Sequence, residues 1–408
     1  MLAWRVYCGN VTSVDPGLSV RSNIGGLLAL AAASCLAVTT EMLPVGLLPA
    51  IGSTFDVDTS TTGLLVSLYA VMVATLAVPL TVVTARLPRK PLLLTTLLLY
   101  VVSNAVVAVA PNFAAVAAGR TVGGLTHALF FSLCIGYAPR LVERARVGRA
   151  LAIATAGVSV GFVLGVPLST SLGTAFGWRV SFGVLAVLAA ATLAFVAWLL
   201  PAVPQDGPAL EARAAGSRRQ LVAVVASNAL TFVGQFTLYT YISAALLAAG
   251  ATPALVGPVL LLCGASGLVG LTFSARTLDR SPRRTVFVVL AVVIVAIAAA
   301  GVADEALLPL VIAALVWNGA FGGVPPIYQA CAVRTGATSP ELAGAWVNAS
   351  ANVGIGAGAA IGAGLLPVIG VGGLPLVSAA FVALGLVVAM AARRSFPASG
   401  SPIGECSG

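Results

Sequence analysis

The chain has 408 residues, 59% of them hydrophobic and 8% charged, with a formal net charge of +9. Soluble domains carry about a quarter of their residues as charged side chains, so this composition excludes one and points to a protein embedded in a bilayer. The positive charge invites a nucleic-acid reading. The basic residues, however, sit in short breaks between apolar runs, where they report membrane topology instead.

Residues 1 to 22 are polar, include Pro16 and Gly17, and predict a cytoplasmic tail. Apolar spans follow at about 22–51, 61–84, 91–110, 112–137, 149–173 and 179–201. Each is near the roughly 20 residues that a helix needs to cross a membrane. A polar stretch with Pro201, Pro204 and Pro208 then predicts a cytoplasmic linker over 202–218. A second set runs at about 219–249, 254–275, 285–303, 306–333, 341–366 and 371–392. The expected fold is all-α and integral to the membrane, with twelve transmembrane helices. They form two six-helix halves, 23–201 and 219–394, followed by a tail at 395–408. Barrel strands would be about ten residues long with alternating polarity, which these runs are not.

Arginine placement sets the expected orientation. With the N-terminus inside, Arg86, Arg89, Lys90, Arg140, Arg144, Arg146, Arg276, Arg280, Arg283, Arg284 and Arg334 all fall on the inner side. Only Arg179 falls outside. Both termini are therefore expected in the cytoplasm of a bacterial cell, with the chain crossing the cytoplasmic membrane many times.

One acid stands apart. Glu41 lies well within the first span, whereas the other eleven acids occupy tails or polar breaks. A charge there costs on the order of 3 kcal/mol on insertion scales, so a lone intramembrane carboxyl is a proton carrier by default. The alternative is an acid locked to an arginine as pure structure. Arg120 is the candidate, since it lies in the fourth span at a similar depth. Glu41 is roughly 15 Å and Arg120 roughly 12 Å from the outer ends of their helices. His127, the only histidine, is seven residues beyond Arg120 and nearly on the same face. It can relay protons or hydrogen-bond a substrate; it can also simply bond a neighbouring helix.

The halves repeat. Arg86-Leu87-Pro88-Arg89-Lys90 reappears as Arg280-Ser281-Pro282-Arg283-Arg284, the latter preceded by Asp279. The fifth span carries Gly157, Gly161 and Gly165, followed by Pro167, and the eleventh carries Gly354, Gly358 and Gly362. A glycine every four residues admits another helix closely, and Pro167 can kink the helix that carries it. We expect these glycines at a moving interface between the halves. A parallel repeat of this kind supports rocking of one half against the other.

These residues resemble the major facilitator superfamily, within its twelve-span drug:proton antiporters. The loop Arg86 to Lys90 is similar to that family's Gly-x-x-x-Asp-Arg-x-Gly-Arg-Arg, with Thr81, Ala85 and Pro88 at the first Gly, the Asp and the second Gly. Gly119-Arg120-Thr121-Val122-Gly123-Gly124 resembles the fourth-span Arg-x-x-Gln-Gly, with Gly123 in place of Gln. Gly157 to Gly173 resembles the antiporter motif of the fifth span. Thr40-Glu41-Met42 resembles the opening of arabinose-exporter-like and chloramphenicol-exporter members. The resemblance implies that helices one, four, seven and ten line one cavity, and that the basic loops act in the conformational change.

Asn228, Gln235, Tyr239 and Asn318 are then the expected substrate contacts, with Glu41 and Arg120 coupling protons. Each amide can equally hold helices together. Amides, aromatics and one acid suit a neutral amphiphile, with a chloramphenicol-like antibiotic as the first expectation. A sugar or metabolite exporter and an uncoupled facilitator are the alternatives. The expected partners are the substrate, protons and the bilayer, with no nucleic acid, and a monomer suffices. The scattered cysteines lack metal spacing, and the sequence has no phosphate loop or catalytic constellation. No cofactor, metal or enzymatic reaction is expected.

Overall fold

A computed structural model describes residues 23–142, 147–202, 217–278, 280–302, 306–338 and 340–396. The predicted tail 1–22, residues 203–216 of the predicted linker, Asp279, Arg144 and Arg146, and the chain beyond 396 lie outside the described residues.

Among the described residues, twelve helical spans appear in the expected order. They are α1 (Ile24–Phe55), α2 (Thr59–Val83), α3 (Arg89–Ala108), α4 (Phe113–Tyr137), α5 (Val147–Val160, continued through Val166–Phe176), α6 (Trp178–Leu199), α7 (Arg218–Tyr239, continued by Ile242–Ala248), α8 (Pro253–Thr277), α9 (Pro282–Val302) and α10 (Leu307–Phe321, continued by Val324–Arg334). Pro340–Ala391 is one run broken at Gly370, whose φ of +66° ends α11 and starts α12. Short turns with local caps join them. The Asp58 carboxylate accepts from the Thr61 N–H at the start of α2, and the Asn112 side chain accepts from the Ala115 N–H at the start of α4.

Three spans are less regular than their apolar runs suggest. In α5 one π-helical turn, Gly161–Gly165, precedes Pro167. Pro167 supplies no N–H to the preceding turn, so the ladder widens there. In α10 the helix breaks at Gly322 and Gly323, just before Pro325 and Pro326, which withdraw two consecutive donors. In α7 the Thr240 hydroxyl donates to the Phe236 carbonyl at 2.7 Å and competes with the backbone ladder where the helix interrupts.

Apolar residues form two cores, one within each six-helix half. The C-terminal core also takes in Val38, Met42 and Val45 of α1, which face across the seam. Across that seam α8 meets α5, with Gly257 against Ser171 and Pro167 and Gly264 against Phe162 and Val163. α11 meets α2, with Gly356 against Ser67 and Ala70. After α12 the chain turns back: Phe396 is buried, and Arg283 donates to the Arg393 and Phe396 carbonyls at 2.6 and 2.9 Å.

Candidate functional site

Two prolines inside α1 organise the site. Pro44 and Pro49 have no N–H for the carbonyls four residues earlier, those of Thr40 and Val45. In an apolar interior those oxygens need other donors. Arg120 of α4 donates to the Thr40 carbonyl at 2.5 Å and to the Glu41 carbonyl at 2.8 Å. Ser243 of α7 donates to the Val45 carbonyl at 2.8 Å, across the two halves.

The Glu41 carboxyl and the Arg120 guanidinium, possible partners by their shared depth, form no direct ion pair here. Arg120 binds the backbone of α1, because a carbonyl deprived of its helical donor competes for the guanidinium fork. The carboxyl instead faces His127, with Nε2 3.6 Å from Oε2. The other ring nitrogen, Nδ1, lies 2.9 Å from the Tyr69 hydroxyl of α2. The Arg120 guanidinium stacks over the Tyr69 ring at 4.2 Å. Asn104 of α3 donates to the Thr40 hydroxyl at 3.1 Å.

Glu41, Tyr69, Tyr100, Asn104, Arg120 and His127 are all buried, from four helices of one half. Four of their polar atoms have no hydrogen-bond partner: Glu41 Oε1, Tyr100 Oη, Asn104 Oδ1 and Arg120 Nε. A buried cluster with unspent donors and acceptors is where a proton can be taken up and moved. The sequence leaves His127 open between proton relay, substrate contact and helix bonding, and does not single out Tyr69, Tyr100 or Asn104. Asn104 carried the only available signal, an amide inside an apolar span.

The second half holds an uncharged counterpart. The glycines of α5 face the α1 carbonyls of Ala31 and Cys35, and those of α11 face the α7 carbonyls of Ala229 and Val233. Both pairs are offset by 198 (31 to 229, 35 to 233), and the same offset carries Glu41 onto Tyr239. Tyr239 packs edge-on against Trp317 of α10 at 6.1 Å. The Trp317 indole donates to Gln235 Oε1 at 2.5 Å, and Gln235 Nε2 reaches Asn318 Oδ1 at 3.5 Å. The indole is a donor only, so it fixes which way the Gln235 amide points. Gln235, Tyr239 and Asn318 therefore come together, with Trp317 as an organiser that sequence reasoning left out of the site.

Asn228 does not join them. Fully buried, it donates to the Val347 carbonyl at 3.0 Å and the Ser350 hydroxyl at 2.8 Å, tying α7 to α11. The glycine stripe is also relocated. A Cβ on Gly157 would meet the Ala31 carbonyl oxygen at 1.8 Å, so the close neighbour is α1 of the same half. The inter-half contacts of α5 come from Phe162, Val163, Pro167 and Ser171, on another face.

The basic turns clamp helix ends. Lys90 donates to the Ala197 carbonyl at the end of α6 at 2.8 Å. Arg283 does the equivalent beyond α12. A cation there meets the negative end of a helix dipole. Arg89 lies near Arg140. Arg86 and Arg280 flank the turns, the latter through its N–H to the Thr277 carbonyl.

The model of the Major Facilitator Superfamily matches residues 30–344. The chain is 34% identical over 342 residues to a chloramphenicol efflux pump of Mycobacterium tuberculosis, covering 81% of this chain and 83% of that one. It is 30% identical over 335 residues to a probable sugar efflux transporter of Mannheimia succiniciproducens, covering 81% and 84%. Among solved structures, a D-xylose–proton symporter matches with a TM-score of 0.74 at 15% identity, over 92% of this chain and 99% of that one. A bacterial homolog of the human lysosomal transporter Spinster, inward-facing and occupied, matches with 0.73 at 15% identity, over 94% and 98%.

Proposed function

The chain belongs to the Major Facilitator Superfamily, a family of transporters rather than enzymes, and on that premise we propose that it exports a small neutral amphiphile in exchange for protons. The observation that carries this reading is the Glu41 carboxyl set against His127 inside the N-terminal half. No other acid of the sequence lies well within a predicted span, so a coupled proton has one carboxyl to use.

The division of labour follows from the repeat. The charged cluster sits in the first half, and the amide-aromatic group of Gln235, Tyr239, Trp317 and Asn318 sits in the second. The latter suits a ligand with an apolar body and hydrogen-bonding groups. Both termini are inside in this reading, so the described seam contacts, including Ser243 to Val45, lie toward the outer side. Outside protons reach Glu41, the neutral carboxyl favours inward opening, and substrate binding displaces the proton.

A chloramphenicol-like compound is the first substrate, in keeping with the mycobacterial relative. The relative described as a probable sugar efflux transporter supports a second reading, a sugar or metabolite exporter of the same design. Reconstituted vesicles separate them. Labelled chloramphenicol and a labelled sugar are offered with and without a pH gradient, to the wild type and to Glu41→Gln. Gradient-driven accumulation that the substitution abolishes supports proton antiport, and the accumulated label names the class. Accumulation unchanged by Glu41→Gln removes Glu41 from the mechanism. Equilibration without accumulation marks an uncoupled facilitator.

A further inference from the structure

Tyr69 connects three features that the proton reading leaves separate. Its hydroxyl meets His127 Nδ1 at 2.9 Å, and the far side of that ring meets Glu41 at 3.6 Å. Its ring lies beneath Arg120. Its neighbours Ser67 and Ala70 form the seam with Gly356 of α11 in the other half.

Room for Tyr69 comes from a departure in this chain. Gly123 stands where the family motif has Gln, and a Cβ at Gly123 would come within 2.9 Å of the Tyr69 ring. At Gly124 it would come within 2.6 Å of the Tyr69 carbonyl. The absent side chain at 123 is what lets the phenol reach the histidine.

Resting on the proton-coupled reading of Glu41, we infer that Tyr69 is the positioning residue that sets the His127 tautomer and delivers the proton to Glu41 from within the N-terminal half. The phenol can donate or accept, and a neutral imidazole has one nitrogen of each kind. Two arrangements are self-consistent. With Glu41 ionised, the Tyr69 O–H donates to Nδ1 and Nε2–H points at the carboxylate. With Glu41 protonated, its O–H donates to Nε2 and Nδ1–H donates to the Tyr69 oxygen.

One added proton converts the first into the second. It arrives at the Tyr69 oxygen; the phenol proton passes to Nδ1; the Nε2 proton passes to Oε2. Three O–H or N–H bonds form and two break, and the net gain is one proton on Glu41. The last transfer needs the 3.6 Å gap to close to hydrogen-bond distance, a small rotation of the imidazole. Tyr100 of α3, buried against Tyr69, is the neighbour through which the added proton reaches the phenol, gaining one O–H proton as it passes on another. The charged and titratable groups facing Tyr69 are Glu41 from α1, Tyr100 from α3, and Arg120 and His127 from α4.

Infrared difference spectra after a pH jump on the purified protein test this without any substrate. The wild type shows a protonated-carboxyl band that Glu41→Gln removes. Tyr69→Phe keeps the ring, the Arg120 stacking and the packing on Gly123, and deletes only the hydroxyl. Its band is expected to form at least about tenfold more slowly and at a shifted frequency. The same rate and frequency as wild type, or a fall in thermal stability alone, overturns the role of Tyr69 while leaving Glu41 as the carrier. A wild type with no Glu41 band overturns both this inference and the proton-coupled function.

Discussion

The Thr40 carbonyl, left without its helical donor by Pro44, accepts from Arg120 at 2.5 Å. This contact makes Arg120 a backbone clamp between α1 and α4. It also leaves the Glu41 carboxyl to face His127.

Arg120→Ala should destabilise the protein by about 2–5 kcal/mol, since two buried carbonyls lose a charged donor. Pro44→Ala restores an N–H for Thr40. The double variant should therefore recover about 1 kcal/mol relative to Arg120→Ala alone. Glu41→Gln combined with Arg120→Ala should show no such recovery. Thermal unfolding in detergent measures all four proteins, and a rescue by Glu41→Gln instead would restore the side-chain pair as the main contact.

Ser243→Ala removes the hydrogen bond to Val45 that spans the halves. The seam should loosen there, and the balance of conformers should shift toward separation at that end. Spin labels at Ser53 and Thr252, both exposed, report the distance in a background without the native cysteines. A longer-distance population larger than in the parent is expected; an unchanged distribution would show that the contact is incidental.

Gly157→Ala would push a methyl group into the Ala31 carbonyl, 1.8 Å away. A cost of about 1–3 kcal/mol is expected from overpacking, and Gly354→Ala, against Phe232 and Ala229, should behave alike. Gly364 has open space where its Cβ would be. Gly364→Ala should be neutral or stabilising by up to about 1 kcal/mol, as alanine favours helix over glycine. Melting temperatures of the three variants decide this.

Trp317→Phe leaves the Gln235 oxygen without its donor and lets the amide turn. If the second half holds the substrate, KM for export should rise about tenfold with the pH profile unchanged, a loss equivalent to one good hydrogen bond. A moved pH profile would count against separating substrate and proton functions between the halves.

Asp58 lies outside the spans, and its carboxyl is held down to about 2 by hydrogen bonds from Ser60 and Thr61. A depressed folded-state pKa stabilises the fold above the unfolded value near 3.9, and that stability fades only as pH falls through about 2. PH-dependent changes in stability near neutrality should thus persist in Asp58→Asn, which a pH series of melting curves can check.

The order and number of spans were legible in the chain, as was the exceptional status of Glu41. Transfer of a segment into lipid depends on the summed apolarity of its own residues, and one acid in such a run is conspicuous whatever surrounds it. The break in α10 is written in Gly322, Gly323, Pro325 and Pro326, whereas the one in α7 was not legible, because apolar periodicity carries no record of which carbonyl lacks a donor. Nor was the partner of each polar group. Arg120, Glu41 and His127 share a depth, yet which atoms meet depends on how α1 and α4 are rotated against each other. Packing settles that rotation: Gly157 and Gly161 seat α1, Gly123 admits Tyr69, and Pro44 offers Arg120 a carbonyl. Composition determined that this is a many-spanning membrane protein with one costly carboxyl; only the tertiary structure decided that a histidine, rather than an arginine, stands before it, since contact between helices is a property of pairs and not of segments.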